Sequence, residues 1–236
     1  MKTKRNILLI LLPFLINGWL VAQVAQVEPD FVDNERPSDV VRAQAAIQIF
    51  PDAVLVVRIP SHSKKIAELQ QRIDSGSPNA ERYQAMLTES QTERTEFGVM
   101  LMSAFTDAYD FSQVYFIWDT TRIEAGTGLL ENVFLDEYLK LDSSKSLSTK
   151  EAYFVAYMGQ TDGETGTGVN ALIICEQTME PLKAPFPYCA PYNFGVDSLR
   201  VLLFRNVTEA DVLRRSIKKL NRDLHRYHAQ ITASNQ

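Results

Sequence analysis

The order of apolar segments in this sequence predicts an α/β fold. Residues 53–59 and 114–118 are apolar almost throughout, which is typical of strands buried on both faces of a parallel sheet. A long stretch with helical periodicity separates them, as the right-handed crossover between parallel strands requires. Residues 152–158 and 170–175 are two further apolar segments. We therefore predict a central mixed sheet with a helical hairpin between its first two, parallel strands, then an antiparallel pair and a C-terminal amphipathic helix.

Short-range signals place the helices around these strands. Ser38 is suited to cap a first short helix, and Ser61-His62-Ser63 supplies capping groups for a second. Pro78, at the first helical position, begins a third helix that ends near Tyr109. The second and third helices form the predicted hairpin.

The later segments mix strands with loops. A helix over residues 129–140 is one interpretation of that stretch, although glycines precede it closely. The glycine-rich residues 159–168 form a long hairpin loop between the antiparallel strands. The proline-rich residues 181–191 either run over the surface or cover a sheet edge, and residues 199–204 are a last edge strand.

The C-terminal helix begins at a capping box and separates apolar from basic residues. Thr208 and Asp211 have the spacing of that box, with Asp in place of the usual Glu or Gln. One face of the helix is apolar, and the other carries six basic side chains, Arg214, Arg215, Lys218, Lys219, Arg222 and Arg226. A solvated outer face is the simplest interpretation. Docking to an acidic surface of this chain or of a second copy, and attachment to a membrane surface, are the alternatives.

The first 22 residues have the layout of a secretory signal peptide. A basic beginning precedes an apolar segment at residues 7–16, and Ala22 precedes the expected cleavage site. A retained membrane anchor is the alternative, but Pro13 and Gly18 interrupt a segment that is short for a span of about 20 apolar residues. We expect a protein exported to the periplasm or the extracellular medium, without a transmembrane segment after cleavage.

Length and composition favour one folded domain with appendages. The chain has 236 residues, 45% of them hydrophobic and 22% charged, whereas a typical domain has about 150 residues. We assign residues 1–22 to the signal peptide, 23–37 to an acidic linker, 38–228 to a single α/β domain and 229–236 to a polar tail. Cleavage removes three basic residues and changes the formal net charge from −5 to −8. An acidic chain is a poor general nucleic-acid binder.

Several segments of the chain, in this order, resemble an uncharacterised family of exported bacterial proteins. They are AVLVVRIP, QVYFIWD, FLDEYLKLDSS, YFVAYMG, ALII and PLKAPFPY. In that family a strand ending in Val-Arg-Leu, a Val-Tyr-Phe strand and a Pro-Phe-Pro-Tyr stretch follow the same order. The resemblance implies export and a shared fold, and it implies no known activity. The chain departs from the family at Cys189, where an aromatic residue is more usual.

One candidate site lies where the two parallel strands end. Ligands bind outside the carboxyl ends of strands in open α/β sheets, so Ser61, His62 and Asp119 are candidates for a hydrolase relay. No Gly-x-Ser-x-Gly elbow presents the serine. Anion binding at the same helix start is the alternative, with the candidate residues Ser63, Lys64 and Lys65.

The two cysteines and an aromatic segment supply two further candidates. Export permits a disulfide between Cys175 and Cys189, and two unpaired thiols are the alternative. Phe186, Tyr188 and Tyr192 lie among prolines, where they either fill an edge of the core or form a patch that binds a partner.

We predict no metal site and no cofactor. His225 and His228 share a face of the last helix, but only His62 remains to join them and no carboxylate motif accompanies the pair. The glycines lack the Gly-Lys-Ser/Thr ending of a phosphate loop.

The features together predict an exported, non-enzymatic binding or envelope-associated accessory protein with an unidentified protein partner. A hydrolase that uses the crevice at the strand ends is one alternative. A thioredoxin-like domain without a redox motif is the other, because the order of strands and helices is similar.

Overall fold

A computed structural model describes five ranges of the chain, residues 38–123, 128–148, 150–161, 168–192 and 208–234. The predicted signal peptide, the acidic linker and the edge strand at 199–204 lie outside these ranges. Four α-helices are described, α1 Asp39–Ile49, α2 Ser63–Asp74, α3 Ala80–Ala108 and α4 Glu209–Ser234. None of these helices is long and apolar enough to cross a membrane.

A five-stranded mixed sheet confirms the predicted α/β fold. Its strands are β1 Val54–Ile59, β2 Gln113–Trp118, β5 Tyr153–Gln160, β6 Asn170–Cys175 and β7 Cys189–Pro191. They are arranged in the order β2–β1–β5–β6–β7. The central strand β1 is parallel to both β2 and β5, and β6 is antiparallel to β5 and β7.

Strand β1 separates two apolar layers. Leu55, Val57 and Ile59 are fully buried on the face covered by α1, α3 and α4. Val56 is fully buried on the other face, where it packs with Phe134. The apolar residues of β1 alternate between two buried faces, which explains why its sequence is apolar almost throughout.

The interpretation of residues 129–140 as a helix is wrong. Leu129–Glu131 form a strand, β3, which pairs antiparallel with β4, Ser146–Ser148. Further along, Asp136 Oδ1 accepts hydrogen bonds from the backbone N–H groups of Tyr138 and Lys140 at 2.9 and 2.8 Å, and Leu139 has a φ of 61°. A side chain that bonds its own backbone in this way replaces the helical hydrogen bonds with a turn.

The helix boundaries differ from the predictions at two places. His62, with a φ of 52°, is the cap residue of α2, and the Ser61 hydroxyl accepts a hydrogen bond from the Ser63 N–H at 3.3 Å. Helix α3 begins at Ala80 rather than at Pro78.

The capping box of α4 is confirmed. The Asp211 N–H donates to Thr208 Oγ1 at 3.2 Å, and the Thr208 N–H donates to Asp211 Oδ2 at 3.0 Å. The helix continues to Ser234, so position 228 is not a structural boundary. Of the two interpretations of residues 181–191, coverage of a sheet edge is confirmed, because β7 pairs with β6.

Candidate functional site

The predicted hydrolase residues come together but do not form a relay. Strands β1 and β2 end side by side, and Asp119 Oδ1 accepts a hydrogen bond from the Ser61 backbone N–H at 3.0 Å. Ser61 is 6% exposed, and its hydroxyl accepts a hydrogen bond from the Ser63 N–H. His62 lines a pocket that Ser61 and Asp119 do not line, and no hydrogen bond between described residues joins its ring to either. The serine and the carboxylate thus stabilise the turn that follows β1.

The predicted anion-binding residues are exposed at the start of α2. Lys65 Nζ lies 3.7 Å from Glu93 Oε2 of α3, so this cation faces an acidic neighbour. Ser63 donates its N–H to Ser61. The Lys65–Glu93 contact joins the two helices of the hairpin. Anion binding by Ser63, Lys64 and Lys65 stays a prediction.

A pocket of about 500 Å³ opens beside the carboxyl ends of β1 and β5. The loop after β1 contributes Pro60 and His62, and β5 contributes Met158. Helix α3 supplies a third wall and Tyr192 a fourth. The volume of the pocket lies within the range of about 300–1,000 Å³ that is usual for small-ligand sites. Open α/β sheets bind ligands in this position, one strand away from the crevice that the sequence predicts.

The inner wall of the pocket is apolar and adaptable. Phe97 and Met100 of α3 line it together with Met158 and Tyr192, and all four side chains are half-buried. Methionine fills irregular gaps because its side chain is unbranched and polarisable. A bound apolar group of variable shape would therefore find complementary contacts.

The rim of the pocket is acidic. Glu93 and Glu96 of α3 and Glu209 of α4 all line it, and all three are exposed. Glu93 is 3.7 Å from Lys65, whereas Glu96 and Glu209 have no ion-pair partner among the described residues. Three carboxylates and one nearby ammonium leave an excess of negative charge around the opening.

The sequence contains a signal for this site that helical periodicity alone does not reveal. Glu93, Glu96, Phe97 and Met100 have the spacing i, i+3, i+4 and i+7, which puts them on one face of α3. Two carboxylates therefore lie in an otherwise apolar stripe. Glu209 is far away in the chain, and only the packing of α4 against α3 brings it to the same rim.

The aromatic segment divides between the core and the pocket. Phe186 is 2% exposed, and its ring centroid lies 5.9 Å from that of Phe50. Phe186 is therefore a core residue, and its prediction as a binding residue is wrong. Tyr188 is partly buried against the same core, and Tyr192 alone of the three lines the pocket.

Cys175 and Cys189 are free thiols in the structure. Cys189 lies opposite Ile173 across the β6–β7 pair, so Cys175 is its diagonal neighbour. Diagonal neighbours in a sheet are about 7–8 Å apart, which exceeds the usual Cα separation of a disulfide. The predicted bridge is therefore not formed. Burial raises the pKa of Cys175 to about 12.

The two histidines of α4 belong to its packing. His225 Nε2 lies 2.8 Å from Asp110 Oδ1, and the rings of His225 and His228 meet the Phe111 ring with centroids 4.9 and 5.9 Å away. No group of three metal-ligating side chains occurs within the described ranges. The basic face of α4 docks in part on its own chain, because Arg214 pairs with Asp107 at 2.8 Å.

Comparisons of this chain with protein-family models, with curated proteins and with solved structures found no match. The resemblance to an exported bacterial family and the thioredoxin-like order of elements stay predictions.

Proposed function

We propose that this protein is an exported, non-enzymatic binding protein whose ligand carries an ammonium or guanidinium group on an apolar stem. The observation that carries the proposal is the pairing, in one pocket of about 500 Å³, of an apolar inner wall with three rim glutamates. A cation in the opening would face Glu96 and Glu209, which have no ion-pair partner among the described residues. Its stem would pack on Phe97, Met100 and Met158.

Binding is supported over hydrolysis by the hydrogen bonds at the strand ends. A hydrolase relay requires its base within about 3 Å of the nucleophile. Here the Ser61 hydroxyl accepts from a backbone N–H group, and the Asp119 carboxylate does the same. His62 instead lines the acidic pocket. Export is supported by the signal-peptide pattern of residues 1–22.

Calorimetric titration with 4-phenylbutylamine tests the proposal, with the uncharged 4-phenylbutanol as the matched probe. We expect the amine to bind and the alcohol to bind at least fivefold more weakly. Glu96→Gln and Glu209→Gln should each weaken amine binding by about fivefold, since a partly exposed charge pair contributes roughly 1 kcal/mol. The amine affinity should also fall at 0.5 M salt, where the screening length is only a few ångströms.

Glu89→Gln is the matched control, because Glu89 is an exposed residue of the same helix that does not line the pocket. Its affinity for the amine should equal that of the unsubstituted protein. Equal binding of amine and alcohol, or an equal loss in the Glu89 and Glu96 variants, would contradict the proposal.

A further inference from the structure

A second depression continues the acidic pocket along α3. This cleft, of about 480 Å³, lies between α3 and the start of α4. It shares Glu96 and Met100 with the pocket, so the two depressions adjoin along α3, and together they are called the groove. From Glu93 to Ser103 the groove follows about 15 Å of helix, at a rise of about 1.5 Å per residue. That distance matches four or five residues of extended peptide at about 3.3 Å each.

The cleft differs from the pocket in its chemistry. Val99, Met100 and Ala104 line it, and Val99 is 44% exposed. The hydroxyl-bearing residues Thr95 and Ser103 are spaced along the same wall. The Thr95 hydroxyl donates to the Gln91 carbonyl oxygen at 2.9 Å and can still accept a hydrogen bond. A peptide backbone needs hydrogen-bonding groups beside apolar surface, and this wall offers an acceptor at Thr95 and a hydroxyl at Ser103.

The far end of the cleft excludes a second cation. Arg214 lines it, and its guanidinium lies 2.8 Å from Asp107 Oδ2 and 3.8 Å from Asp211 Oδ1. Glu96, at the near end, is the only acidic residue among the described lining residues of the cleft. A linear polyamine would therefore place its second ammonium group over apolar surface and towards an arginine. An aliphatic side chain suits that place better.

We infer that the ligand of the groove is an extended segment of a protein, with a lysine or arginine in the acidic pocket and an aliphatic side chain three or four residues away in the cleft. This inference rests on the proposed function and extends it to the class of ligand. The charge complementarity of the rim selects the basic residue. The length and apolarity of the cleft select the second residue.

Fluorescence anisotropy with labelled, end-blocked pentapeptides tests the inference on the purified protein. The probes are Lys-Ser-Ser-Ser-Leu and the reverse order Leu-Ser-Ser-Ser-Lys, because the groove does not specify chain direction. The comparison peptides replace the leucine with serine or the lysine with norleucine. We expect one of the two orders to bind at least tenfold more tightly than both of its comparison peptides.

Two variants test whether the leucine side chain binds in the cleft. Ser103 is exposed, so Ser103→Trp should fill the cleft and remove most of the tenfold gain from leucine. Val99→Ser, which adds no bulk, should reduce the same gain at least threefold. Thr88→Trp is the control, because Thr88 is exposed on α3 and does not line the groove. It should leave the gain intact.

The outcomes separate this inference from the proposed function. If 4-phenylbutylamine binds as proposed but leucine adds nothing in either order, the peptide inference is overturned and the cation pocket stands. Spermidine binding as tightly as the better peptide would also overturn it. If the Thr88 and Ser103 variants lose the affinity gain from leucine equally, the leucine does not bind in the cleft and the inference is overturned. If neither amine nor peptide binds, both proposals fail.

Discussion

Asp119 shows how one residue that looks catalytic stabilises a turn. Its carboxylate accepts the Ser61 N–H, and its backbone carbonyl accepts a hydrogen bond from Arg58. The Arg58 guanidinium also donates to the Thr121 carbonyl oxygen at 3.3 Å. Three hydrogen bonds thus join Arg58 and Ser61 to the segment that follows β2, across the ends of the two strands. These hydrogen bonds explain why a serine and an aspartate lie together at the strand ends.

The two thiols should differ in reactivity, because only one of them is fully buried. Cys175 is fully buried, with a pKa raised to about 12, whereas Cys189 is half-buried. The thiolate is the reactive species. We expect iodoacetamide to label Cys189 in the native protein without reductant and Cys175 only after unfolding. Burial also raises the pKa of Cys189, so its labelling rate should still be rising above pH 8.5.

Peptide mapping by mass spectrometry measures both sites. Cys189→Ser is the control, and its native form should take up almost no label. If neither cysteine is labelled in denaturant until a reductant is added, the protein contains the disulfide and the free-thiol geometry is wrong.

At the scale of elements, α4 holds in place the loop between the end of α3 and the beginning of β2. Asn221 Oδ1 accepts from the backbone N–H groups of Asp110 and Phe111, both at 3.1 Å. Its Nδ2 donates to Asp110 Oδ1 at 2.8 Å. One side chain of the last helix thereby satisfies two backbone donors in a loop more than 100 positions earlier in the chain.

Asn221→Ala should destabilise the fold by about 2 kcal/mol, because it removes three hydrogen bonds of about 1 kcal/mol each, partly replaced by water. Urea unfolding followed by circular dichroism measures the loss. Asn79→Ala is the control, since Asn79 precedes α3 without a side-chain capping bond and should change stability by less than about 0.5 kcal/mol. Equal midpoints for the two variants would show that the Asn221 contacts contribute nothing.

Helix α3 shows how much of an element its own sequence predicts. Its helical periodicity is evident, but Gly98 in its interior is not explained by local signals, since glycine costs about 1 kcal/mol there. In the fold, a side chain at this position would meet the Leu139 side chain at 3.0 Å and Ile59 at 3.3 Å. The glycine lets a distant turn pack closely against the helix. That turn lies within residues 129–140, which the sequence pattern wrongly predicted to be a helix.

At the scale of the whole molecule, charge changes sign along the chain, from a basic start through an acidic segment to a basic last helix. The described domain begins at Ser38, after a segment that changes from basic at its start to acidic before the domain. We propose that residues 1–22 are removed on export. The mature chain then carries a formal net charge of −8.

Expression in an export-competent bacterial host should yield a protein that begins at Gln23. The short apolar segment and Ala22 before the cut are the physical reasons. Amino-terminal sequencing of the periplasmic or secreted fraction is the measurement. Ala22→Leu, which replaces the small residue at the cut, should accumulate as the longer precursor. Recovery of an uncleaved, membrane-bound chain from the unsubstituted gene would favour the retained anchor instead.

The sequence by itself determined the parts that depend on neighbouring residues. The apolar runs of β1 and β2, the antiparallel β5–β6 pair and the Thr208–Asp211 capping box follow from local periodicity and local hydrogen bonding. Of the candidate site, it predicted His62 and Tyr192, which both line the pocket.

Only the tertiary structure decided which surfaces meet. Strand β5 lies beside β1, so the pocket opens on that side, and α4 brings Glu209 to the carboxylates of α3. The β6–β7 register separates the two thiols, and the packing of Phe186 removes it from the surface. Strand order, register and helix contacts are long-range properties, and the local pattern around any one of these residues is compatible with several arrangements.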